Sequence, residues 1–185
     1  MSKQVCCRRV VRSNRSKGFT LVELLVTIAI LAVLTAVAVP SFNSAFLSNK
    51  LAGYANSFSG SVQTARGEAI KRNLPVVMCR SANGTSCAGS GDWQQGWIVY
   101  VDTNQNSALD TGEPVIQKRE ALSSDYKFTA ESGTYVMAFQ ATGGLAAQAV
   151  VHLCKEAGSQ ERKLTVSLTG RMSVEKPTAS ACPWS

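Results

Sequence analysis

Residues 17–40 read KGFTLVELLVTIAILAVLTAVAVP, an apolar stretch that begins with a basic residue. From Thr20 to Val39 the only charged residue is Glu23. About 20 apolar residues in a helix cross the roughly 30 Å hydrocarbon core of a bilayer. The stretch therefore predicts a membrane-spanning helix over residues 19–40, and this helix decides how the rest of the chain is arranged.

The positive charge of the chain is concentrated ahead of the apolar stretch. The formal net charge is +7, and residues 1–18 contain no acid but six basic residues: Lys3, Arg8, Arg9, Arg12, Arg15 and Lys17. The other 13 basic and 12 acidic residues give a net charge of +1. A basic segment before an apolar run stays on the cytoplasmic side, so the chain after the run is predicted to be exported. The net charge alone does not predict nucleic-acid binding.

An ordinary secretory signal or simple anchor is the alternative interpretation of the N-terminus. Such a signal has a shorter apolar region that ends in a cleavage site of small residues. Here the run leads into Pro40 and Ser41, which favours a retained helix.

Glu23 distinguishes this helix from a plain anchor. A carboxylate inside an apolar helix costs about 2.5 to 3.5 kcal/mol on insertion scales unless it finds a partner. If the chain were cut after Gly18, the new amine at Phe19 would lie about one helical turn from Glu23, on the same or a neighbouring subunit. The alternative is a carboxylate that reaches back to the lipid headgroups from the first turn.

Residues 17–25, KGFTLVELL, resemble the signature of type IV prepilins and pseudopilins. The resemblance implies that residues 1–18 are a cytoplasmic leader, removed after Gly18 by an inner-membrane prepilin peptidase. It further implies N-methylation of Phe19 and a role for Glu23 in subunit docking. The protein would then span the inner membrane once, with its head in the periplasm, before entering a pilus or pseudopilus.

Residues 41–73 are predicted to form an amphipathic stalk helix that continues the span through a bend at Pro40. Apolar residues recur at steps of three and four and define one face: Leu47, Leu51, Tyr54, Phe58, Val62, Ala65 and Ala69. We expect this face to pack on the protein's own head. A helix that binds a separate partner is the alternative.

Residues 74–185 are predicted to form a β-rich head. Short apolar runs separated by Gly, Asn and Ser clusters predict strands at 74–80, 96–102, 114–119, 134–140, 148–154 and 163–168. Residues 163–168, KLTVSL, alternate polar and apolar side chains, as half-buried antiparallel strands do. The predicted fold class is α+β: a long N-terminal helix packed on a mostly antiparallel head of two small sheets.

Four cysteines follow the apolar run: Cys79, Cys87, Cys154 and Cys182. An even number of cysteines in an exported domain favours disulfides. Pairing of Cys79 with Cys87 would close a turn, and pairing of Cys154 with Cys182 would tie the C-terminal tail to a strand. A zinc site that uses these cysteines with His152 is the alternative, although CxxC spacing is missing.

The head carries a second resemblance, to the FimT/FimU and GspH branch of minor pilins and pseudopilins. It rests on Cys79-Arg80-Ser81, Cys87, Trp93, residues 96–102 (GWIVYVD), Gly112-Glu113, Phe139 and Gly170-Arg171. It implies a low-copy subunit in the tip or priming complex of a type IV pilus, or its counterpart in a type II secretion pseudopilus. Its partners would be other major and minor pilins or pseudopilins, bound through the N-terminal helix.

DNA is a further candidate ligand. Some FimT proteins bind DNA through a Gly-Arg-x-Arg motif, and this chain reads Gly170-Arg171-Met172-Ser173 at the similar place. The second arginine is missing, and phosphate contacts need clustered cations. The alternative interpretation is that Gly170 makes a turn between strands and Arg171 is a solvated edge charge.

Calcium is a candidate ligand of residues 102–113, DTNQNSALDTGE. Oxygen-bearing side chains occupy positions 1, 3, 5, 9 and 12 of an EF-hand-type loop: Asp102, Asn104, Asn106, Asp110 and Glu113. Position 6 is Ser107 where that loop has Gly. A polar loop between strands is the alternative, and no cofactor is required by either interpretation.

Catalysis is not predicted. The sequence holds a single histidine, His152, on an apolar run, and no nucleophile, base and orienting group can be assembled around it. The expected function is therefore structural, in a pilus first, a secretion pseudopilus second and DNA uptake third.

Overall fold

A computed structural model describes residues 18–131, 133–155 and 160–177. In it the apolar run and the amphipathic segment after it form a single helix, α1, Leu21–Arg72. The side chains of Pro40 and Ser41 are outside this description. Helix α1 ends where Asn73 adopts the left-handed conformation (φ 53°) and its N–H contacts the Ile70 carbonyl.

The chain divides into two units, residues 1–43 and 44–185. The described part of the first unit is the first portion of α1, and its large apolar side chains are exposed throughout. By length and composition, α1 is the one helix among the described residues able to cross a membrane. The unit boundary falls a few residues after Pro40, and the predicted division into a span (19–40), a stalk (41–73) and a head (74–185) stays a prediction.

Eight strands and one short 3₁₀ helix follow α1 in the described ranges. The strands are β1 Val76–Arg80, β2 Trp97–Val101, β3 Val115–Arg119, β4 Tyr126–Ala130, β5 Val136–Phe139, β6 Ala149–Lys155, β7 Glu161–Val166 and β8 Met172–Glu175. The 3₁₀ helix is Trp93–Gln95. Six strands fall on the predicted runs, whereas β4 and β8 were missed. The start of β7 was also placed two residues late, because Glu161 and Arg162 are charged.

The strands form two four-stranded sheets, and every strand pair is antiparallel. Sheet A has the order β3-β2-β1-β5, and sheet B has the order β4-β6-β7-β8. This arrangement confirms the predicted α+β class with two small sheets.

The second portion of α1 packs against the inward faces of both sheets. Its buried side chains are Leu51, Ala55, Phe58, Val62, Ala65 and Ala69, and they share one cluster with residues of sheets A and B. Phe58 lies at the centre, edge-on to the rings of Trp93, Trp97 and Phe128 at centroid distances of 5.2, 5.3 and 4.8 Å. The prediction that the striped face packs on the head is confirmed.

The outward face of sheet A carries a second, smaller core. Val77, Cys79, Ile98 and Tyr100 are fully buried there, under Cys87 and Leu109 from two loops. The first of these loops, residues 81–92, carries Cys87 of the predicted disulfide, and the second, residues 102–114, contains the predicted calcium loop. Sheet A is therefore covered on both faces, and the two loops are parts of the fold.

The Phe58 cluster generates a stability prediction. Phe58→Ala should lower the free energy of unfolding by about 3 to 5 kcal/mol, because it removes a buried ring and leaves a cavity between both sheets. Phe46→Ala is the matched control, since Phe46 lies on the same helix and is 67% exposed; its cost should stay within about 0.5 kcal/mol. Urea unfolding of the chain in neutral detergent, followed by tryptophan fluorescence, measures both. Equal effects would contradict the assigned core.

Candidate assembly site

The helix start is fixed by Thr20, which the sequence interpretation overlooked. Residues 18–20 are not helical, and the Thr20 hydroxyl oxygen accepts a hydrogen bond from the Glu23 backbone N–H at 3.2 Å. The Thr20 carbonyl accepts the first intrahelical bond, from the Leu24 N–H at 3.1 Å. The threonine followed three residues later by glutamate is the spacing of a capping box, and this pattern was available in the sequence.

Glu23 lies in the first turn of α1. A carboxylate is favourable there because the unpaired N–H groups of the first turn carry partial positive charge. The docking role predicted for Glu23 and the cleavage and methylation predicted at Gly18 and Phe19 remain predictions. Phe19 itself is 78% exposed, directly before the cap.

The first portion of α1 presents apolar side chains on all sides, and two of its threonine hydroxyls bond to the helix backbone. The Thr27 hydroxyl donates to the Leu24 carbonyl at 2.8 Å, and the Thr35 hydroxyl donates to the Leu31 carbonyl at 2.9 Å. An apolar surface with its hydroxyls turned to the backbone fits a lipid or a packed helix bundle.

The predicted Cys79–Cys87 disulfide is confirmed. Cys154 is also disulfide-bonded, whereas its predicted partner Cys182 lies outside the described residues, so that pairing remains a prediction. Because these three cysteines are oxidised, the alternative zinc site is wrong: zinc binds thiolates.

The predicted calcium loop is held by its own hydrogen bonds. The Asp102 carboxylate is buried and accepts the backbone N–H groups of Asn106 and Ser107, at 3.1 and 2.8 Å. Asp110 Oδ2 accepts the side-chain amides of Asn104 and Asn106, at 2.8 and 2.7 Å. Ser107 takes φ 59°, the left-handed conformation of the position where the motif has Gly.

Glu113 closes the loop at its other end. Its carboxylate accepts the Thr103 N–H at 2.7 Å, the Thr103 hydroxyl at 3.0 Å and the Asp110 N–H at 3.0 Å. Burial opposes ionisation of Glu113, but these hydrogen bonds outweigh it and lower the pKa of its carboxyl. The Asn104 and Asn106 amides likewise lower the pKa of Asp110. Within the described ranges, no three acidic, histidine or cysteine side chains are grouped to hold a metal. Calcium binding remains a prediction.

Gly170 and Arg171 lie in the turn between β7 and β8. A Cβ atom at Gly170 would lie 2.1 Å from the Gly143 carbonyl oxygen, and φ is 70°, so this position requires glycine. Arg171 is exposed, as predicted. The same Cβ position lies 3.2 Å from Nε of Arg66, so a second arginine, from α1, packs beside the turn.

His152 lies on the outward face of sheet B, not among the apolar side chains of β6. Its Nδ1 contacts Oε1 of Glu161, and its Nε2 lies 3.3 Å from Oε2 of Glu131. The pairing explains its partial burial. The sequence of β6 alone does not reveal these contacts of His152, because its acidic partners come from β7 and from the residue that follows β4.

Two family profiles match the chain. A profile described as "Type II transport protein GspH" matches residues 54–170, more than half of the chain. A profile described as "Prokaryotic N-terminal methylation motif" matches residues 13–39, which contain Gly18, Phe19 and Glu23.

Individual proteins are similar over parts of the chain. The pilin-like protein PilA1 of Thermus thermophilus is 35% identical over 99 residues, which are 52% of this chain and 55% of that protein, so the match spans about half of that relative's length. Crystal structures of the type IV minor pilin FimU of Pseudomonas aeruginosa share the fold. One gives a TM-score of 0.57 at 18% identity, covering 71% of this chain and 96% of that one. A second crystal form gives 0.53, covering 68% and 95%.

The Glu113 hydrogen bonds generate a pH prediction. Folding lowers the pKa of the Glu113 carboxyl from its ordinary value of 4.5. The ionised Glu113 carboxylate therefore stabilises the fold fully above pH 4.5, and this stabilisation is lost as the pH falls through the lower pKa of the folded protein. Glu113→Gln should destabilise the head by about 1 kcal/mol at pH 7. It should also flatten the decline of the urea midpoint between about pH 5 and 3.

Glu120→Gln serves as the control, because Glu120 is an exposed carboxylate outside the loop. Its urea midpoint should follow that of the wild type at each pH. A Glu113→Gln midpoint that declines with acid as steeply as the wild type would contradict the assignment.

Proposed function

Because the chain belongs to the GspH family of type II transport proteins, we propose that it is a minor pilin, a structural subunit of the tip or priming complex of a type IV pilus. The observation that carries the proposal is the first unit: a helix with an apolar surface on every side and one carboxylate, Glu23, in its first turn. The similarity to a protein named as pilin-like, PilA1, is the reason for placing the pilus first.

Assembly follows from the chemistry of this helix. A prepilin peptidase cuts after Gly18 and leaves an amine on Phe19, which is N-methylated. Glu23 of one subunit then pairs with the Phe19 amine of a neighbour in the membrane, where an unpaired charge is costly. The exposed apolar side chains pack against the helices of other subunits, and the head remains in the periplasm. The protein acts as a building block, not as an enzyme.

A secretion pseudopilus is the second candidate, and the description of the family as type II transport favours it. The same helix, cap and carboxylate would serve either filament. The two functions would differ only in what the head contacts. They are therefore distinguished by the phenotype of a deletion strain.

DNA binding in the course of DNA uptake is the third candidate, and Arg66 is the observation that favours it. Arg66 packs beside Gly170, next to Arg171 in sequence. Its Nε is buried and has no hydrogen-bond partner in the described part of the chain. Two arginines at one turn could contact adjacent phosphates, although the chain lacks the second arginine of the Gly-Arg-x-Arg motif.

The assembly prediction uses a deletion strain complemented with variants. Glu23→Ala should reduce surface pili to the level of the deletion, because the helix loses the carboxylate that pairs with a neighbour's amine. Leader removal, read as a mobility shift, should persist. Glu120→Ala, at an exposed head carboxylate, should restore piliation fully.

Twitching, DNA uptake and exoprotein secretion are scored in the same strains. Normal pili with lost secretion would reject the pilus in favour of the pseudopilus. Normal filament assembly by Glu23→Ala would reject the proposed docking chemistry for both machines.

The DNA prediction is a salt titration of duplex binding by the chain in neutral detergent. Arg171→Gln and Arg66→Gln should each weaken binding and reduce the slope of log affinity against log salt by about 1, because each removes one phosphate contact. Arg119→Gln, at an exposed arginine at the end of β3, is the control. No binding by the wild type at low salt ends the idea.

A further inference from the structure

Arg162 is a cation inside the head. It is the second residue of β7, on the inward face with Leu164 and Val166, and only 5% of it is exposed. Burial lowers the pKa of the Arg162 guanidinium. An arginine nevertheless keeps its charge in proteins.

Among the described residues, the contacts of Arg162 include no counter-charge. One NH group donates to the Glu161 carbonyl at 2.9 Å, and the other donates to the Ser48 hydroxyl at 3.0 Å. The Glu161 carboxylate contacts His152 instead. No acidic side chain in the described ranges forms an ion pair with Arg162. A buried charge left in this way is unfavourable unless an anion reaches it.

Arg80, the other buried arginine of the head, shows how such a group is satisfied within the fold. Its guanidinium donates to the Ala88 and Gly91 carbonyls and lies 3.6 Å from the centroid of the Tyr135 ring. Arg162 has one carbonyl and one hydroxyl and no ring. An arginine has five N–H donors, so three of those on Arg162 remain available among the described contacts.

Arg162 lines a cavity of about 170 Å³, together with Ser48, Gln160, Glu161, Lys176 and Pro177. Lys176 adds a second, exposed cation at this cavity. The Gln160 side-chain amide donates to the Ser44 carbonyl at 3.4 Å, which places a further donor group at the wall. Guanidinium, ammonium, hydroxyl and amide donors around one space suit a small anion with several oxygens.

We propose that this cavity, between α1 and the β7 and β8 strands, is a phosphate-binding site, filled by the headgroup of an anionic phospholipid or by free phosphate. Ser48 follows Val39, the last residue of the apolar run, by nine residues. In sequence, the cavity is thus close to the apolar run that is proposed to enter the membrane. The site is independent of which filament the protein joins.

The test is calorimetry on the full chain in micelles of an uncharged detergent. One arm titrates inorganic phosphate, and a second titrates soluble dihexanoyl phosphatidylglycerol, with dihexanoyl phosphatidylcholine as the zwitterionic control. The wild type should bind phosphatidylglycerol, phosphate or both saturably, and phosphatidylcholine not at all. Binding in the phosphatidylglycerol arm alone identifies a lipid headgroup, and binding of inorganic phosphate identifies the phosphate group itself as sufficient.

Two substitutions locate the site. Arg162→Gln should weaken binding by about tenfold or more, since it removes a charge-assisted contact. Lys176→Gln should weaken it severalfold, and because Lys176 is exposed this variant remains informative even if Arg162→Gln fails to fold. Lys118→Gln, at an exposed cation elsewhere on the head, should bind like the wild type.

Three outcomes would overturn the proposal. The first is no saturable heat with phosphate or phosphatidylglycerol, as expected if a segment of this chain already fills the cavity. The second is equal binding of phosphatidylcholine. The third is wild-type affinity in Lys176→Gln or in a folded Arg162→Gln protein, which would place the anion elsewhere.

Discussion

The fold of the head depends on one buried interface: the apolar face of the second portion of α1 packs against both sheets at once. Each sheet has four short strands, and the apolar face of each sheet must be buried against another element. Phe58 touches Trp97 of sheet A, Phe128 of sheet B and Trp93 of the 3₁₀ helix. The Trp97 indole N–H donates to the Ser61 hydroxyl of α1 at 2.9 Å, and the Trp93 indole N–H donates to the Thr134 carbonyl at 3.1 Å, so both indole N–H groups of the cluster are satisfied. Helix and sheets therefore stabilise each other.

The loops of sheet A are stabilised from the opposite side. The Cys79–Cys87 disulfide and Leu109 cover the outward face, and the buried Asp102 carboxylate fixes the loop backbone. The free edge of β4 is covered by the 3₁₀ helix, where the Gln94 side chain accepts the Phe128 N–H at 3.0 Å. The regions that look irregular in sequence are tied to the sheets by specific bonds.

Most of the architecture could be predicted because the spacing of apolar residues in the sequence follows which side chains are buried. The steps of three and four after Pro40 identified the buried face of α1, and six strands followed from their apolar runs. The strand β8 was not predictable, because its residues are largely exposed on an edge and carry little apolar signal. The burial of Arg162 was not predicted, because a charged residue at the start of a strand is usually exposed. Its burial depends on Ser48, 114 residues away in the chain. The oxygen pattern of residues 102–113 predicted a cation, yet the same side chains can instead bind their own backbone, and sequence spacing cannot separate these uses.

The capping geometry at Thr20 has a consequence for the proposed removal of the leader. Both bonds that begin α1, to the Glu23 and Leu24 N–H groups, come from atoms of Thr20. Neither bond comes from Gly18 or Phe19, so a cut between these two described residues would leave both bonds in place. The Gly18–Phe19 peptide bond lies outside the helix, since residues 18–20 are not helical. A cut at that bond would thus leave the first turn of α1 unchanged.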